Sequence, residues 1–363
     1  MYKILHVITS LRTGGAEKLM VGLLPKLRDL GNEVELLLFD GVDTPFRQQL
    51  EQSNIKIYAT RIGESVYDPR NISYLRNIIN NYQIIHTHNT SPQLFAALAK
   101  SLSPKARTLL VTTEHNTTNR RRDNFLFKPI DKWMYRQYAT VICISEQAET
   151  NLRQYLNDNS SKICTIYNGI DLPNFSESSN QSLNRHDSHI VVTMVAAFRK
   201  QKDQATLIRA ISLLPKSIHL QLVGDGEIEL IENCKSLVRQ LNISDRVSFL
   251  GMRTDVPEIL NASDIVVLSS HYEGLSLSSL EGMASGKPFV ASDVDGLHEI
   301  VNGYGVLFPH EDAQALAEII LKLSEDKNFA EQIAIKCQAR ARQFDINIMA
   351  NHYNTIYQNL IRK

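Results

Sequence analysis

The chain has 363 residues, of which 43% are apolar and 21% charged, and its basic and acidic residues are equal in number. This length favours two domains, and the composition is that of a globular protein, which excludes a disordered or fibrous chain. The balanced charge also argues against nucleic-acid binding. Residues 1–171 carry 21 Lys and Arg against 16 Asp and Glu. This excess favours different partners for the two halves, with chance surface variation as an equal alternative.

The cysteines and the apolar runs indicate where the protein resides. The four cysteines form no CxxC motif and no Cys/His cluster, which is typical of reduced thiols in the cytosol. No apolar run approaches the roughly 18–20 residues that span a bilayer. Met1–Ile8 is too short for a signal-peptide core. We therefore expect a cytoplasmic protein.

The first half alternates short apolar runs with amphipathic helical patterns. It opens with a strand over Lys3–Ile8 and a helix over Ala16–Leu30, with Gly31 at the helix C-terminus. Further strands are predicted at Glu33–Phe39, Ile84–Thr87, Thr108–Thr113, Ala139–Ile144 and Cys164–Tyr167, with a helix near Pro45–Ser53. This alternation predicts a mainly parallel sheet covered by helices on both faces.

The alternation stops in a segment rich in Ser, Asn and Asp, and then restarts. The later strands are predicted at Ile190–Ala196, His219–Val223, Val247–Leu250, Asp264–Leu268 and Pro288–Ala291. The sequence thus predicts an α/β fold with two doubly wound, Rossmann-like domains facing a central cleft. These are residues 1–171 and 189–345, joined by the polar linker 172–188. The helix 346–363 is expected to pack back on the N-terminal domain.

Two loops that follow strands could bind phosphate, because open α/β sheets bind ligands beyond the carboxyl ends of their strands. Gly14-Gly15 precedes the first helix, where backbone N–H groups can approach an anion or a sugar hydroxyl, although a simple turn is an equal alternative. Arg199, Lys200 and Lys202 precede a second predicted helix, whose dipole their charges oppose. Their placement favours a bound diphosphate over a solvated basic loop.

The strongest signal is the segment Glu273–Glu281, which follows a predicted strand and enters a helix near Leu277–Ser285. Glu273 would lie in the loop and Glu281 about one turn into the helix. A carboxylate fixed at such a place accepts hydrogen bonds from the vicinal diol of a ribose or a hexose. Two unrelated surface charges are the alternative, but the adjacent Gly274 and the small residues after Glu281 argue against it.

The chain resembles retaining glycosyltransferases of the GT-B fold in family 4, a group with many enzymes of bacterial polysaccharide and glycolipid assembly. The resemblance covers nearly the whole chain and is more specific for fold and donor class than for the sugar or the acceptor. It rests on the segments Gly14–Glu17, His86–His88, Glu114–Asn116, Asn168–Asp171, Gln201–Asp203, Val223–Gly226, Tyr272–Gly274 with Glu281, and Ser285–Pro288.

The resemblance implies a role for each part of the site. Glu281 would bind the ribose, Glu273 the donor sugar, and Lys202 the departing diphosphate, while His115 would stand close to the anomeric carbon. The other donor-side residues are Gly15, Gly274, Leu275 and Ser276 near sugar and phosphates, and Gly224, Gly226, Met252 and Arg253 around the base. The acceptor side would include Gly14, His88, Asn89 and Asn116. His115, Glu273 and Lys202 are the expected catalytic residues, and no cofactor beyond the nucleotide sugar is implied.

Three details qualify this assignment. The family usually has Arg where this chain has Ala197, so Arg199, two residues on, is the expected substitute at the diphosphate. His86 and His88 are expected to face opposite sides of the sheet, with His86 in a structural role. Asp293-Val294-Asp295 is similar to a metal-binding DxD motif, but it precedes a turn, so no metal site is predicted.

The expected activity is retaining, metal-independent transfer of a hexose or N-acetylhexosamine from a nucleotide sugar, with UDP favoured over GDP. The acceptor would be a saccharide or a lipid-linked saccharide in cell-surface polysaccharide synthesis. A GT-B sugar-nucleotide epimerase and a non-catalytic sugar-nucleotide-binding subunit are the alternatives. Arg120, Arg121 and Arg122, followed by aromatic and basic residues, predict peripheral contact with the anionic inner face of the plasma membrane. Packing of the apolar members in the core is the equal alternative.

Overall fold

The structure is a computed structural model that describes residues 1–12, 14–61, 63, 65–115, 127–172, 175 and 189–362. Its contacts divide the chain into two compact units. The first unit comprises Met1–Gly169 together with Ile346–Lys363, and the second comprises Ile170–Asp345.

The first unit contains a seven-stranded parallel sheet in the order β3-β2-β1-β4-β5-β6-β7. Its strands are β1 (Lys3–Ile8), β2 (Glu33–Asp40), β3 (Lys56–Arg61), β4 (Ile84–His88), β5 (Leu109–Glu114), β6 (Thr140–Cys143) and β7 (Ile163–Thr165). Its helices span Gly15–Asp29, Pro45–Gln52, Arg70–Ile78, Thr90–Ser101, Lys128–Arg136, Glu146–Leu156 and Ile346–Arg362, with a 3₁₀ turn at Ile79–Asn81.

The second unit contains a six-stranded parallel sheet in the order β10-β9-β8-β11-β12-β13. Its strands are β8 (Ile190–Val195), β9 (Ile218–Val223), β10 (Val247–Gly251), β11 (Ile265–Leu268), β12 (Phe289–Ser292) and β13 (Val306–Phe308). Its helices span Gln204–Ser212, Ile228–Gln240, Val256–Asn261, Leu277–Ala284, Leu297–Val301, Ala313–Glu325 and Lys327–Ala341, with a 3₁₀ turn at Arg342–Phe344. The predicted pair of doubly wound α/β domains is confirmed.

Local sequence explains where many of these elements begin and end. The central strands β1 and β4 are buried nearly throughout, as expected for parallel strands covered by helices on both faces. Several helices start at a side-chain cap: Thr44, Ser145, Asp203 and Asp312 each accept a hydrogen bond from a backbone N–H in the first turn. These caps satisfy N–H groups that the helix itself leaves without a partner.

Two strands were absent from the sequence-based prediction. β3 lies at the edge of the first sheet and all its residues are exposed or half-buried, so its sequence lacks an apolar run. β13 has only three residues and also lies at an edge. β3 depends on backbone partners from a neighbouring strand, which leave no local hydrophobic signal, and the apolar run of β13 is too short to indicate a strand by itself.

The terminal helix Ile346–Arg362 packs on the first sheet. Tyr353 and Tyr357 are fully buried, and their hydroxyls form hydrogen bonds with Thr113 on β5 and His86 on β4. Ile346 contacts the helix Gly15–Asp29 at Gly22. This helix therefore covers one face of the first sheet at its centre. Within the described residues, no helix is both long and apolar enough to span a membrane.

Each sheet has one point where the strand order reverses, between β1 and β4 in the first unit and between β8 and β11 in the second. At such a point the loops after the two strands diverge to opposite faces and leave a crevice, which is where open α/β sheets bind ligands. The loops after β1, β4, β8 and β11 are therefore the ones that can form a site.

Candidate active site

The reversal point of the second sheet places Lys202 and Glu273 together. Lys202 lies in the loop after β8, and Glu273 lies in the loop after β11. The two loops meet through an isolated bridge between Lys202 and Ser270. The Lys202 ammonium forms an ion pair with Oε1 of Glu273, and both side chains are largely buried. Ser270 Oγ donates to the same oxygen at 2.7 Å, and Gln201 Nε2 donates to Oε2 at 3.0 Å.

These contacts leave the Glu273 carboxylate with limited spare capacity. A carboxylate offers about four acceptor positions, two on each oxygen. Oε1 uses two of them for Lys202 and Ser270, and Oε2 uses one for Gln201, so within the described residues one position on Oε2 remains. A sugar hydroxyl could donate to that position. Binding a full vicinal diol would require Gln201 to move.

Gly296 supports the loop that carries Glu273. The Glu273 N–H donates to the Asp295 carbonyl at 3.2 Å, and Gly296 adopts a φ of +80°. A Cβ at position 296 would collide with the backbone carbonyl oxygens of Glu273 and Gly274. Only glycine therefore allows this turn to lie against the loop and fix the position of the carboxylate.

Glu281 lies on the helix Leu277–Ala284, which begins directly after the Glu273 loop. Its side chain is buried, 5% exposed, and Ser276 is the N-cap residue of the helix. Gly282 faces Phe289 of β12 so closely that a Cβ there would lie 2.7 Å from the ring. The helix therefore packs tightly on the sheet, which holds Glu281 in a fixed place beside the loop. Gly274, Leu275 and Ser276 occupy the predicted turn between strand and helix.

The two predicted base-pocket glycines lie beside the end of β8. Gly224 has a φ of +145°, and a Cβ there would collide with the Ala196 carbonyl oxygen. A Cβ at Gly226 would collide with the Phe198 carbonyl oxygen. Met252 is 53% exposed, and the exposed Arg253 forms an ion pair with Asp255.

Arg199 lies close to Lys202 in the loop after β8. Both residues, with Lys200 and Arg209, line a cavity of about 540 Å³ that also borders the helix Ile228–Gln240. Arg199 is exposed, and its carbonyl accepts from the Lys202 N–H at 2.9 Å, so the loop turns back on itself here. Several cations therefore share one cavity beside the Glu273 loop.

In the first unit, the predicted residues lie at the carboxyl ends of β1, β4 and β5. Gly14 is the N-cap residue of the helix Gly15–Asp29, and no atom lies within 4 Å of where a Cβ of Gly15 would be. Asn89 adopts a left-handed φ of +68° and donates to Thr9 Oγ1 at 3.0 Å. Open space above Gly15 is what a ligand approaching the backbone would need.

Four histidines cluster behind these loops, and three of them are joined by hydrogen bonds. His88 Nε2 lies 3.0 Å from His6 Nδ1, and His88 Nδ1 lies 3.0 Å from His115 Nε2. His86 bonds separately to the Tyr357 hydroxyl at 2.6 Å and to Thr113 Oγ1 at 2.8 Å. His6, His86 and His88 are fully buried, whereas His115 is partly exposed.

The expectation that His86 and His88 face opposite sides of the sheet is wrong. Their rings stack on the same face, with centroids 4.6 Å apart, because residues two apart on a strand point to the same side. His86, with both ring nitrogens hydrogen-bonded inside the unit, has the contacts of a structural histidine. His88 was expected on the acceptor side. It is also fully buried, so it can act on an acceptor only through His115 and not by direct contact.

Burial keeps these rings neutral. Desolvation lowers the pKa of His6 to about 3 and that of His115 to about 4. The pKa values of His86 and His88 lie well below the ordinary 6.5, mainly through burial and additionally through the neighbouring histidines. The cluster is therefore an uncharged hydrogen-bonded chain at neutral pH.

Among the residues that the structure describes, two groups of side chains could be considered as metal ligands. The rings of His6, His86 and His88 are nearly parallel, at 12–23°, so their in-plane lone pairs do not converge on one point. Elsewhere, His271 Nδ1 lies 2.9 Å from His310 Nε2 and 3.3 Å from Glu311 Oε1, in a partly exposed group. Of the DxD-like pair, Asp293 bonds to His298 at 2.6 Å, and the Asp295 carbonyl supports Glu273.

Some predictions fall outside the described residues, namely Asn116, Arg120–Arg122 and the linker 172–188 except for residues 172 and 175. Other contacts of the site were missed from the sequence. Gln201 was noted only as part of a motif, and Ser270, Gly296 and His6 were given no site role. Gln201 and Ser270 follow strands at the reversal point, so the rule that ligand-binding loops follow these strands could have identified them. No local pattern distinguishes His6 within a buried strand.

Comparison with known proteins was decisive for the family. The family model described as "Glycosyltransferase Family 4" matches residues 13–173, and the model described as "Glycosyl transferases group 1" matches residues 175–340. The chain belongs to glycosyltransferase family 4. Its activity is glycosyl transfer, and the roles of the individual site residues remain predictions.

Similar proteins extend over most of the chain. An Escherichia coli UDP-Gal:alpha-D-GlcNAc-diphosphoundecaprenol alpha-1,3-galactosyltransferase is 28% identical over 266 residues, 68% of this chain and 67% of its own. The Bacillus anthracis N-acetyl-alpha-D-glucosaminyl L-malate synthase is 27% identical over 371 residues, 96% and 95% of the two chains. The Anabaena Alr3699/HepE crystal structure in complex with UDP-glucose has a TM-score of 0.86 at 25% identity, covering 99% and 100%.

Proposed function

We propose that this family-4 glycosyltransferase moves a hexose or N-acetylhexosamine from a UDP-sugar to a saccharide or lipid-linked saccharide in cell-surface polysaccharide synthesis. It would retain the anomeric configuration and need no metal or other cofactor. The observation that carries the proposal is the buried Lys202–Glu273 pair at the reversal point of the second sheet. It combines a cation for a diphosphate with a carboxylate for a sugar hydroxyl.

The choice of a UDP-sugar is supported by the similar proteins. The E. coli relative is named for UDP-Gal, and the Anabaena structure contains UDP-glucose. In this chain the glycines at 224 and 226 keep the strand ends close together, which would let a flat base lie on the backbone. Thermal-shift titration with UDP- and GDP-sugars tests this step, because a bound donor stabilises the folded chain by mass action. Stabilisation by GDP-sugars alone would contradict it.

Retention is supported by the names of both sequence relatives, which give the transferred sugar an alpha configuration, because the sugar of a common UDP-hexose is also alpha-linked. In the proposed step the C1–O bond to the diphosphate breaks, and the acceptor oxygen bonds to C1 on the same face. The acceptor proton passes to the leaving phosphate oxygen. Lys202, with Arg199 from the same cavity, would neutralise the charge that develops on the diphosphate. NMR coupling constants of the first-formed product distinguish retention from inversion, and a trapped covalent glycosyl-enzyme would contradict this same-face route.

Metal independence is proposed because Lys202 and Arg199 would take the place of a metal as counter-ions of the diphosphate. The test is transfer in excess chelator compared with added Mg²⁺ or Mn²⁺. The His271–His310–Glu311 group complicates this test, since a metal bound there could alter activity indirectly. His310→Ala removes that route, so a chelator effect that survives in this variant would count against metal independence.

The acceptor class can be decided by testing each class of acceptor with the same donor. The E. coli relative acts on a lipid diphosphate and the B. anthracis relative on malate, so both acceptor types occur among similar proteins. We favour the saccharide or lipid-linked saccharide. Incubation with the preferred donor and each acceptor class, followed by mass spectrometry, tests the choice. If the donor is consumed without any acceptor and an isomeric sugar nucleotide forms, the result would favour an epimerase. If the donor binds without turnover, the result would favour a non-catalytic subunit.

We place the protein at the inner face of the plasma membrane, in peripheral contact through Arg120–Arg122. The support is the basic and aromatic sequence of this segment and the lipid-diphosphate acceptor of the E. coli relative. Flotation with anionic liposomes, comparing the wild type with a triple Ala variant of the three arginines, tests this contact. Equal flotation of both proteins would refute it.

A further inference from the structure

We propose that His88 and His6 are positioning residues that fix the ring of His115 in one tautomer, with its proton on Nδ1. His115 then presents an N–H donor, and not a basic lone pair, to whatever lies outside the ring. The tautomer follows from this chain's own contacts, and its catalytic consequence rests on the proposed transfer reaction.

The three rings form a continuous chain. His6 Nδ1 contacts His88 Nε2, and His88 Nδ1 contacts His115 Nε2, each at 3.0 Å. A neutral imidazole carries one N–H and one lone pair, so each contact needs a proton from exactly one of its two partners. Only two arrangements satisfy both contacts: all three protons lie on Nδ1, or all three lie on Nε2.

His6, at the inner end of the row of three histidines, distinguishes the two arrangements. His6 Nε2 is fully buried and has no hydrogen-bond partner among the described residues. With all protons on Nε2, this atom would be a buried N–H without an acceptor, a state that folded proteins rarely contain. With all protons on Nδ1, it is a lone pair, and both contacts in the chain are kept. The geometry therefore favours protons on Nδ1.

The outer end of the chain is where the choice has a chemical effect. His115 Nε2 accepts from His88, so the remaining nitrogen, Nδ1, bears the proton. The ring is partly exposed, and Nδ1 has no hydrogen-bond partner in the part of the chain that the structure describes. The low pKa values of these rings agree with a neutral chain that has one proton per ring.

Two roles for His115 are thereby separated. A general base needs a lone pair that faces the acceptor hydroxyl, and the Nδ1–H tautomer has none there. A hydrogen-bond donor to an oxygen of the donor sugar or the diphosphate needs the N–H that this tautomer provides. The hydrogen bonds among the three histidines also oppose the intrinsic tautomer preference of the ring, because a neutral imidazole in water favours the proton on Nε2. His115 would therefore act as an uncharged donor.

The first test reads the tautomers in the unmodified protein. Long-range ¹H–¹⁵N correlation spectra of ¹⁵N-histidine-labelled protein at pH 7.5 distinguish the protonated ring nitrogen from the bare one. Single His→Asn variants at the three positions assign the signals. We expect the Nδ1–H form at His6, His88 and His115. An Nε2–H form or an imidazolium at His115 overturns the proposal.

The second test uses a matched pair of variants at position 88. In His88→Asn the side-chain amide lies near the former Nδ1 and can still donate to His115, whereas His88→Leu leaves no donor. We expect His115 to keep the Nδ1–H form in His88→Asn and to become a tautomer mixture in His88→Leu. The competent fraction then falls, so kcat in His88→Leu should drop roughly two- to tenfold below that of His88→Asn.

The outcomes separate this proposal from the proposed function. Transfer activity together with an Nε2–H form at His115 would refute the tautomer and leave the function standing. The expected tautomers in a protein without transfer activity would refute the proposed function and leave the tautomer standing. Equal kcat in the two variants, despite different His115 spectra, would refute the catalytic consequence alone. If His88→Leu fails to fold, the spectrum of the wild type still decides the tautomer.

Discussion

Mild acid should destabilise the first unit, because its histidine cluster is buried without charge. The folded-state pKa is lowered to about 3 at His6 and to about 4 at His115, and it lies well below 6.5 at His86 and His88. The unfolded chain takes up protons near pH 6.5 and the folded chain does not. The stability that these neutral rings allow is therefore complete above about pH 6.5 and is lost as the pH falls toward the folded-state pKa values.

The size of the effect follows from the number of rings. Each histidine that protonates only when unfolded lowers the free energy of unfolding by about 1.4 kcal/mol per pH unit below its ordinary pKa. Four such rings give a loss of roughly 5 kcal/mol between pH 7.5 and 5.5. Small domains have only about 5–15 kcal/mol of stability in total. Acid at pH 5.5 should therefore remove a large part of it.

The chain offers a probe for this measurement. Its single tryptophan, Trp133, packs against the core of the first unit, so its fluorescence reports the unfolding of that unit. Urea titrations at pH 7.5, 6.5 and 5.5 give the free energy of unfolding at each pH. His6→Asn serves as the matched variant, because asparagine cannot ionise and its amide can still donate to His88.

The slope of stability against pH is the quantity to compare, since the variant will also change absolute stability. At pH 5.5 the slope of the wild type should approach four protons taken up on unfolding, and that of His6→Asn should approach three. A stability that stays level between pH 7.5 and 5.5 would refute the reasoning, because the rings would then be protonated or exposed in the folded state. An unchanged slope in His6→Asn would show that His6 is not one of the groups responsible.

Three further predictions concern the site. Lys202→Ala should lose roughly 2.7–4 kcal/mol of transition-state stabilisation, measured as kcat, whereas Lys216→Ala, at an exposed lysine outside this loop, should change it little; unchanged turnover removes Lys202 from the site. Gly15→Ala should lower kcat/KM without lowering the melting temperature, whereas Gly22→Ala, whose Cβ would make an ordinary 3.6 Å contact, should leave kcat/KM unchanged; full activity in the first variant excludes a ligand there. Gly296→Ala should displace the sugar-binding loop and reduce kcat/KM by about 100-fold, as steady-state kinetics would report, and a near-normal value would mean that the loop tolerates the collision.

The sequence predicted the positions of Glu273 and Glu281 relative to a strand and a helix, and the reason is local. Glu273 and Glu281 follow a buried strand and enter a helix with small residues, so their place at a strand end can be inferred without knowing the fold. What could not be inferred is how the loop is held. Ser270 donates from the same loop, but Gln201 and Gly296 come from other loops, and their contacts with Glu273 depend on strand order.

The histidine cluster shows the same limit more strongly. His86 and His88 share a face by strand geometry alone, so that error was one of reasoning and the sequence contained the answer. His6 is 82 residues from His88, and the two meet because β1 and β4 pair in register across the reversal point. Tyr353 and Tyr357 join the cluster only because the last helix packs on the first sheet.

The sequence by itself determined most of the elements, the two doubly wound domains and the family, because apolar periodicity and short motifs are properties of neighbouring residues. The tertiary structure decided which loops meet, which nitrogen of each histidine has a partner, and how many acceptor positions remain on Glu273. Those properties belong to residues far apart in the chain, whose contacts are set by sheet order and register. A local pattern does not encode them.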